Sequence, residues 1–519
     1  MFASARRWLP VALIVLVAFW LRTYDIAQRP MHADEANQAL KTGQLIESGR
    51  YTFDPRDHHG PTLYYAAVPV AWIRGQATLA ALSEGTLRLV PAVFGTASVL
   101  LLALLALPLG RGPALAAAAF LAVSPPAVYY SRYFIQETLL ATLLLAALVC
   151  TQRWWRHGRL CWAIAAGACA GLMQATKGSA PLFALGALVA ALVAGAGRPA
   201  STRPWRDGAI AAATALLIAA FFFTSFGRNL SGAGDALAAY HHAWTRVSGP
   251  SGHEKPWWYY LRLFAWHREG GLVWEQVAFS VLAACGLAGV LAATVRKNFT
   301  GGAAGRSPLA GAGLRSSPAN RLTPIEPNPL ASRFARWAAV YTLLVAVAFS
   351  LSPYKTPWHA IHFVPGMALL AASAIAAIGR LRTGRVVAVL FVGTVVAALA
   401  AQTRLVAFLR PADARNPFAY VHSSPDVVKA RALVEAALAR SPGQPVRIIS
   451  EEYWPLPWYL RGLPNIGYWP APTKDCDGAL IIASASQAAD VRSRLHGPYR
   501  ESFLGLRPGF LCIIFTPDS

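Results

Sequence analysis

Stretches of apolar residues recur along this 519-residue chain, each long enough to cross the roughly 30 Å of bilayer hydrocarbon as a helix. In lipid every backbone polar group needs a partner within its own segment, so such a stretch spans as a helix. The sequence places about eleven of them, near 8–22, 87–109, 113–130, 137–152, 160–176, 180–197, 208–226, 272–295, 336–352, 358–379 and 385–403. A hydrophobic fraction of 55%, a charged fraction of 14% and a mean hydropathy of +0.40 exclude an ordinary soluble enzyme. The expected class is a polytopic α-helical membrane protein.

Orientation follows from charge, because Lys and Arg in short loops are retained on the cytoplasmic side. With Arg6 and Arg7 inside, the inner loops hold Arg111; Arg153, Arg156 and Arg159; Arg198, Arg203 and Arg206; the segment from Arg296 to Arg336; and Arg380, Arg382 and Arg385. Those inner segments contain 19 Lys/Arg against two acids, Asp207 and Glu326. An odd number of spans leaves everything after about residue 404 outside. The expected location is therefore the cytoplasmic (inner) membrane, multi-pass, with the N-terminus inside and the C-terminal domain outside. The net charge of +23 reads as a topology signal, and no nucleic-acid partner is expected. Arg6-Arg7 before Leu9–Leu21 has a signal-peptide outline, but Arg22-Thr23-Tyr24-Asp25 offers no small-residue cleavage site, so the run is kept as the first span.

Residues 1–403 form the expected transmembrane domain, with outer loops at 23–86 and 227–271. Between them and the tail lies 296–335, a cytoplasmic segment rich in Gly, Ser, Pro and Ala that reads as a flexible linker. Residues 404–519 read as a small α/β extracytoplasmic domain, with buried strands at 446–449, 479–482 and 510–514 and helices near 425–440 and 486–496. Cys476 and Cys512 both lie there, where oxidation is permitted, and whether they are bridged is open.

The strongest polar groups gather at outer ends of spans. Asp34 and Glu35 follow the first span, and Asp57-His58-His59-Gly60-Pro61-Thr62-Leu63-Tyr64-Tyr65 lies in the same loop. Arg132 and Glu137 join the third and fourth spans. Lys177 ends the fifth, and Tyr354-Lys355-Thr356-Pro357-Trp358-His359 follows the ninth. A lone outer charge is usually a solvated loop residue, but five from different spans point to one cavity. Cations there suit phosphate, and carboxylates suit base or metal work. The aromatic run Trp257-Trp258-Tyr259-Tyr260, with Trp244 and Trp266, reads as an interfacial belt before it reads as a sugar platform. In the tail, Tyr453-Trp454-Pro455-Leu456-Pro457-Trp458-Tyr459 is the better candidate for carbohydrate contact.

In the order of these motifs the chain resembles the GT-C glycosyltransferases, polytopic enzymes that use lipid-linked sugars. Asp34-Glu35 is similar to the acidic pair of protein O-mannosyltransferases, and Gly60-Pro61-Thr62-Leu63-Tyr64-Tyr65 to the Pro-Pro-Leu-Tyr-Tyr element of aminoarabinose transferases. Arg132 with Glu137 resembles the second basic-acidic element, Thr176-Lys177-Gly178 the lysine turn, and Tyr354-Lys355-Thr356-Pro357 the later Lys-x-Pro element. His59-Gly60-Pro61, Tyr354 to His359, and Asn416-Pro417 with Ser424-Pro425-Asp426 look most like the flippase-activity-associated mannosyltransferase branch. Two departures stand out. Gly60-Pro61 replaces a Lys-Pro, so no lysine carries over there, and the tail lacks the Trp-Trp-Asp signature of oligosaccharyltransferases.

The resemblance implies transfer of a sugar, possible mannose among hexoses, from a polyprenyl-phosphate donor to a glycan, lipid or protein acceptor at the outer face. Asp34 is the expected base, with Glu35 as orienter or second acid, and inversion at the anomeric carbon follows. Arg132, Lys177 and Lys355 are the expected phosphate-binding cations. His58, His59, Tyr64, Glu137 and His359 are further site candidates. A divalent cation, Mg or Mn, has Asp34, Glu35 and Glu137 as ligands to choose from, and the sequence leaves that open. The rivals are a lipid-linked sugar flippase or transporter and a non-catalytic partner in cell-envelope glycan assembly; a transporter would place its charges inside several spans and show repeated halves.

Overall fold

The computed structural model describes residues 2–56, 59–248, 252–303 and 332–518. Most of the expected linker lies outside the described residues: one helix continues to Ala303 and the next begins at Arg333. Each of the eleven expected spans overlaps a helix, with 113–130 divided between two helices at Ser124 and 272–295 beginning on a short strand, Leu272–Glu275. Along the chain these are α1 (Phe2–Thr23), then the loop helices α2 (Ala33–Ser48) and α3 (Thr62–Ile73), then α4 (Glu84–Leu105), α5 (Arg111–Val123) and the short α6 (Pro125–Tyr130). They continue with α7 (Gln136–His157), α8 (Leu160–Gln174), α9 (Ala180–Val193) and α10 (Pro204–Phe223). After the second loop come α11 (Gly232–Ser248) and α12 (Tyr259–Phe264), then α13 (Val277–Ala303), α14 (Arg333–Leu351), α15 (Val364–Ile378) and α16 (Gly384–Arg404).

Among the described residues, seven helices are long and apolar enough to cross a bilayer, while α1, α5, α8 and α9 are shorter apolar helices. Leu16, Leu188, Leu217, Val389 and Leu390 are exposed on helix surfaces. In water that belt would be a liability; in lipid it is the solvent-facing surface. Inside, Leu102, Phe120, Leu140, Leu370 and Ala372 belong to one continuous core. The chain is a multi-pass membrane protein.

Close helix contacts are set by small residues. A Cβ on Gly167 would stand 2.2 Å from the Ala211 carbonyl oxygen, and one on Gly171 would stand 2.5 Å from that of Ala215. This Gly-x-x-x-Gly face lets α8 and α10 meet backbone to backbone, where lipid offers no hydrophobic drive to hold helices together. At one end of the bundle the expected inner loops meet: Ala200 N–H donates to the Trp155 carbonyl, Asp207 accepts from Trp154 and Ser201, and Arg336 reaches the Ala194 carbonyl.

After a hairpin of β1 (Trp266–Glu269) and β2 (Leu272–Glu275), the tail builds a five-stranded sheet. Its strands are β3 (Val446–Ile449), β4 (Ile466–Trp469), β5 (Leu480–Ser484), β6 (Tyr499–Arg507) and β7 (Phe510–Pro517), in the order β4-β3-β5-β7-β6. β3 pairs in parallel with β4 and β5, and β7 pairs antiparallel with β5 and β6. Alternation sends Ile448, Ile482 and Ile514 to one face and Ile449, Ile481 and Phe515 to the other. The first face packs together with Leu63, Ala67 and Leu87 from α3 and α4. Cys512 shares that face and Cys476 the opposite one; both are free thiols.

The tail is also fastened to the first outer loop by polar bonds. Trp458 is fully buried and donates to Glu84 at 2.7 Å, and Tyr459 accepts from the Met31 N–H at 2.9 Å. The aromatic motif expected to meet carbohydrate therefore docks the tail through these two residues. In the second loop Trp257, Trp258 and Trp266 are exposed, as an interfacial belt requires.

Candidate active site

The acidic pair opens α2. His32 is its N-cap: Nδ1 accepts from the Asp34 N–H at 3.0 Å, and Glu35 reaches back to the His32 N–H at 3.2 Å, a reciprocal capping box. A helix turn points two consecutive residues about 100° apart, and their fates diverge. The Glu35 side chain is 0% exposed, whereas that of Asp34 is 49% exposed and lies 3.8 Å from the His32 ring.

Glu35 is enclosed by donors. Arg88 of α4 binds both of its oxygens, at 2.8 and 2.9 Å, Arg29 donates at 3.2 Å, and the Phe134 N–H donates at 2.9 Å. Burial would raise this carboxyl, but the Arg88 and Arg29 guanidiniums hold it well below the usual carboxylate range. Arg88 also donates to the carbonyls of Ile26, Arg29 and Pro30. One carboxylate thus ties α2, α4, the first loop and the turn before α7 into a single knot. Glu35 has no oxygen left for a proton or a metal ion, so its expected roles as second acid and metal ligand give way to an anchoring one.

A second cluster forms beside Asp34. Lys177, in the turn after α8, is ion-paired with Glu137 in the first turn of α7, and their side chains are 19% and 2% exposed. His59 forms an isolated antiparallel bridge with Lys177. Burial first, then the Lys177 ammonium, push the His59 imidazole down to about 4 against the opposing pull of Glu137 and Asp34. His359 lies within electrostatic reach of Lys177 and Glu137, with its Nδ1 held 3.1 Å from the Tyr260 hydroxyl. His59 and His359, from the first loop and the turn after α14, are thus linked through the Lys177–Glu137 pair, and Asp34 joins them through His59.

Gly60 explains how the first loop reaches the lysine turn. Its N–H donates to the Thr176 carbonyl at 3.0 Å, and Thr62 meets Thr176 hydroxyl to hydroxyl at 2.7 Å. A Cβ at Gly60 would stand 1.9 Å from the Ala175 carbonyl oxygen. A lysine cannot occupy this position without moving the turn, which accounts for the Gly-Pro in place of Lys-Pro.

The remaining expected residues sit differently. Arg132 is buried and donates to the carbonyls of Leu21, Tyr24 and Asp25, with its guanidinium 4.7 Å over the Phe408 ring. Lys355 is buried and donates to the carbonyls of Lys255 and Ser352. Tyr64 gives its hydroxyl to Gln38, which also accepts from Gln136 at 2.9 Å. These three brace loops through backbone and amide partners. His58 lies outside the described residues. Among the described residues, a three-residue grouping of metal-ligand type occurs at Asp475, Asp477 and His496 in the tail, not at Asp34, Glu35 and Glu137.

Sequence reasoning missed Arg88, Arg29, His32 and His422. Arg88 carried a usable signal, since an arginine at the outer end of an apolar span demands a partner and an outer acid was at hand.

Residues 66–224 match the family model described as dolichyl-phosphate-mannose-protein mannosyltransferase. No curated protein matches the chain in sequence. Among solved structures, ArnT from Cupriavidus metallidurans bound to undecaprenyl phosphate is similar, with a TM-score of 0.61 at 16% identity over 97% of each chain. The apo state of ArnT gives 0.62 at 15% identity, over 99% of this chain and 98% of that one. The Archaeoglobus fulgidus oligosaccharyltransferase in complex with Zn and sulfate gives 0.54 at 13% identity, over 96% of this chain and 72% of that one. The chain has the GT-C fold, and it resembles the mannosyltransferase and ArnT group within it.

Proposed function

We propose that this protein is a membrane glycosyltransferase that moves a sugar from a polyprenyl-phosphate donor to an acceptor at the outer face of the cytoplasmic membrane. The observation that carries this reading is the convergence of Asp34, His59, Glu137 and Lys177 beside a face of the bundle that the tail covers. Likeness to ArnT, a structure that holds undecaprenyl phosphate, supports the class of donor.

The reaction needs a base on one side of the anomeric carbon and a cation on the other. An acceptor hydroxyl attacks that carbon and gives its proton to the Asp34 carboxylate as the new C–O bond forms. The bond to the phosphate oxygen breaks with its electron pair, and polyprenyl phosphate leaves as an anion. Attack opposite the leaving group inverts the anomeric configuration. Lys177 receives the departing phosphate through charge-assisted hydrogen bonds, exchanging Glu137 for phosphate oxygens in a partly dry site. His59 stays neutral beside it and can donate a hydrogen bond without adding repulsion. Arg132 and Lys355 hold the loops around the site rather than the phosphate. A divalent cation, if the enzyme uses one, would be held by Asp34 and Glu137 and would supply positive charge to the leaving phosphate.

The test is direct. Purified protein in lipid vesicles is given polyprenyl-phosphate mannose and an envelope extract as acceptor, and both released polyprenyl phosphate and transferred label are measured. Stoichiometric release and transfer is the expected result. Movement of the intact lipid between leaflets with no release would replace the transferase by a flippase.

A further inference from the structure

Two buried imidazoles beside Asp34 have no part in the chemistry above. His32 comes from the first outer loop and His422 from the tail, and their rings lie 5.7 Å apart at 61°. Tyr133 stands 5.3 Å from His32 and 6.2 Å from His422, and Trp358 stands 6.4 Å from His32. Together they form an aromatic box next to the catalytic carboxylate.

Each ring has one nitrogen committed. Because Nδ1 of His32 accepts from the Asp34 N–H, the proton of the neutral ring sits on Nε2. Nδ1 of His422 lies 3.1 Å from the Ser423 carbonyl oxygen, which can only accept, so His422 carries its proton there and leaves a bare lone pair on Nε2. Burial pushes both imidazoles below their ordinary range and keeps them neutral. Both Nε2 atoms are buried and make no hydrogen bond; the Tyr420 carbonyl lies near His32 without hydrogen-bond geometry. The box thus presents one donor and one acceptor that no protein group meets in good geometry, and such groups favour a ligand that can meet them. One hydroxyl group answers both, accepting from His32 and donating to His422. At a hydroxyl oxygen the two bonds of about 2.8 Å diverge by about 110°, so one hydroxyl bridges nitrogens about 4.6 Å apart.

Backbone strain marks the same place. Val421 has φ 49°, a left-handed conformation that a β-branched residue rarely adopts, and it is the residue that delivers His422.

We propose that His32 and His422 jointly read one hydroxyl of the donor sugar, a specificity-determining pair contributed half by the first loop and half by the tail; this rests on the transferase reading above. The donor rather than the acceptor is assigned because the two rings are enclosed against the Glu35 knot, whereas the Asp34 carboxylate opens to solvent, where an acceptor arrives. Entry of the sugar requires the segment around His422 to lift and then close.

The test uses the full chain in nanodiscs and four probes: decaprenyl phosphate and decaprenyl-phosphate mannose, glucose and galactose. His32→Asn keeps an N-cap acceptor for the Asp34 N–H, and His422→Asn keeps an amide donor for the Ser423 carbonyl, while neither has an atom at the Nε2 position. In each variant the preference of the wild type for one sugar lipid over bare decaprenyl phosphate is expected to fall about tenfold, the value of one hydrogen bond. Affinity for the bare lipid and Tm stay unchanged. An undiminished preference overturns the pair and leaves the transferase reading standing. A lower Tm with the preference intact assigns the rings to a structural water and also overturns it. A wild type that binds none of the four lipids overturns both.

Discussion

Two ionic clusters lie one residue apart on the same helix turn and are built on opposite plans. Around Glu35, two arginines and two backbone N–H groups use up every lone pair and exclude solvent. Around Asp34, the carboxylate is half exposed, and the nearby Lys177 is held, among the described residues, by one partner carboxylate, which the proposed mechanism exchanges for phosphate. A saturated buried network resists change because removing any member strands a charge in a low dielectric. An unsaturated one keeps free energy available for a ligand. The comparison teaches that proximity of charges does not by itself make a ligand site; unfilled bonding capacity is what a ligand can use.

The contrast breaks most visibly at Glu35. Replacement by Ala leaves Arg88 and Arg29 buried without a counterion, and a loss of about 3–5 kcal/mol is expected, read as failure to hold a folded form in detergent melting. A Glu35→Ala variant that melts normally would remove the knot from the account. Next in size, Lys177→Ala should weaken binding of polyprenyl phosphate by roughly 10- to 100-fold, the value of a charged hydrogen bond, and should lower Tm as well, because it leaves Glu137 buried without its ammonium. Gly60→Ala tests the link between the clusters, since the new Cβ meets the Ala175 carbonyl. The expected loss is about 1–3 kcal/mol, by analogy with overpacked cores. Activity should fall further than stability, because the displaced turn carries Lys177.

The smallest effect is in pH. His59 sits at about 4 in the folded protein against an ordinary 6.5, so below 6.5 the unfolded chain binds the extra proton first. Stability should be full above about pH 6.5 and fall as pH drops toward 4, and His59→Asn should flatten part of that slope. His32 and His422 act in the same direction, so some slope remains.

The sequence exposed the parts of this design that depend on local composition. Apolar runs are local, so every expected span overlaps a helix even where its ends differ, as at the strand Leu272–Glu275, and the strands at Val446–Ile449, Leu480–Ser484 and Phe510–Pro517 follow from short apolar runs as well. Asp34, Glu137 and Lys177 were visible because charges at span ends stand out against an apolar background. Partner choice was not visible, since it is made by tertiary approach. Nothing near Glu35 in sequence announces Arg88, which is 53 residues away. Arg132 and Lys355 have the residue type for phosphate, yet carbonyls of neighbouring loops claim them. Trp458 and Tyr459 look like a sugar platform until the first loop is folded against them. At the sheet edges, β4 is only four residues long and interrupted by Gly467, and β6 mixes Arg500, Glu501 and Ser502 among its apolar residues, so neither gave a clear apolar run to recognise.

Sugar transfer by Asp34→Asn protein, measured alongside its thermal melting, tests the central claim most directly. A rate lower by about 10²- to 10⁴-fold with Tm unchanged is the predicted result, because the proposed base is an open carboxylate that carries no structural load. Transfer at the wild-type rate would contradict the account, and so would a collapse of Tm matching that of Glu35→Ala.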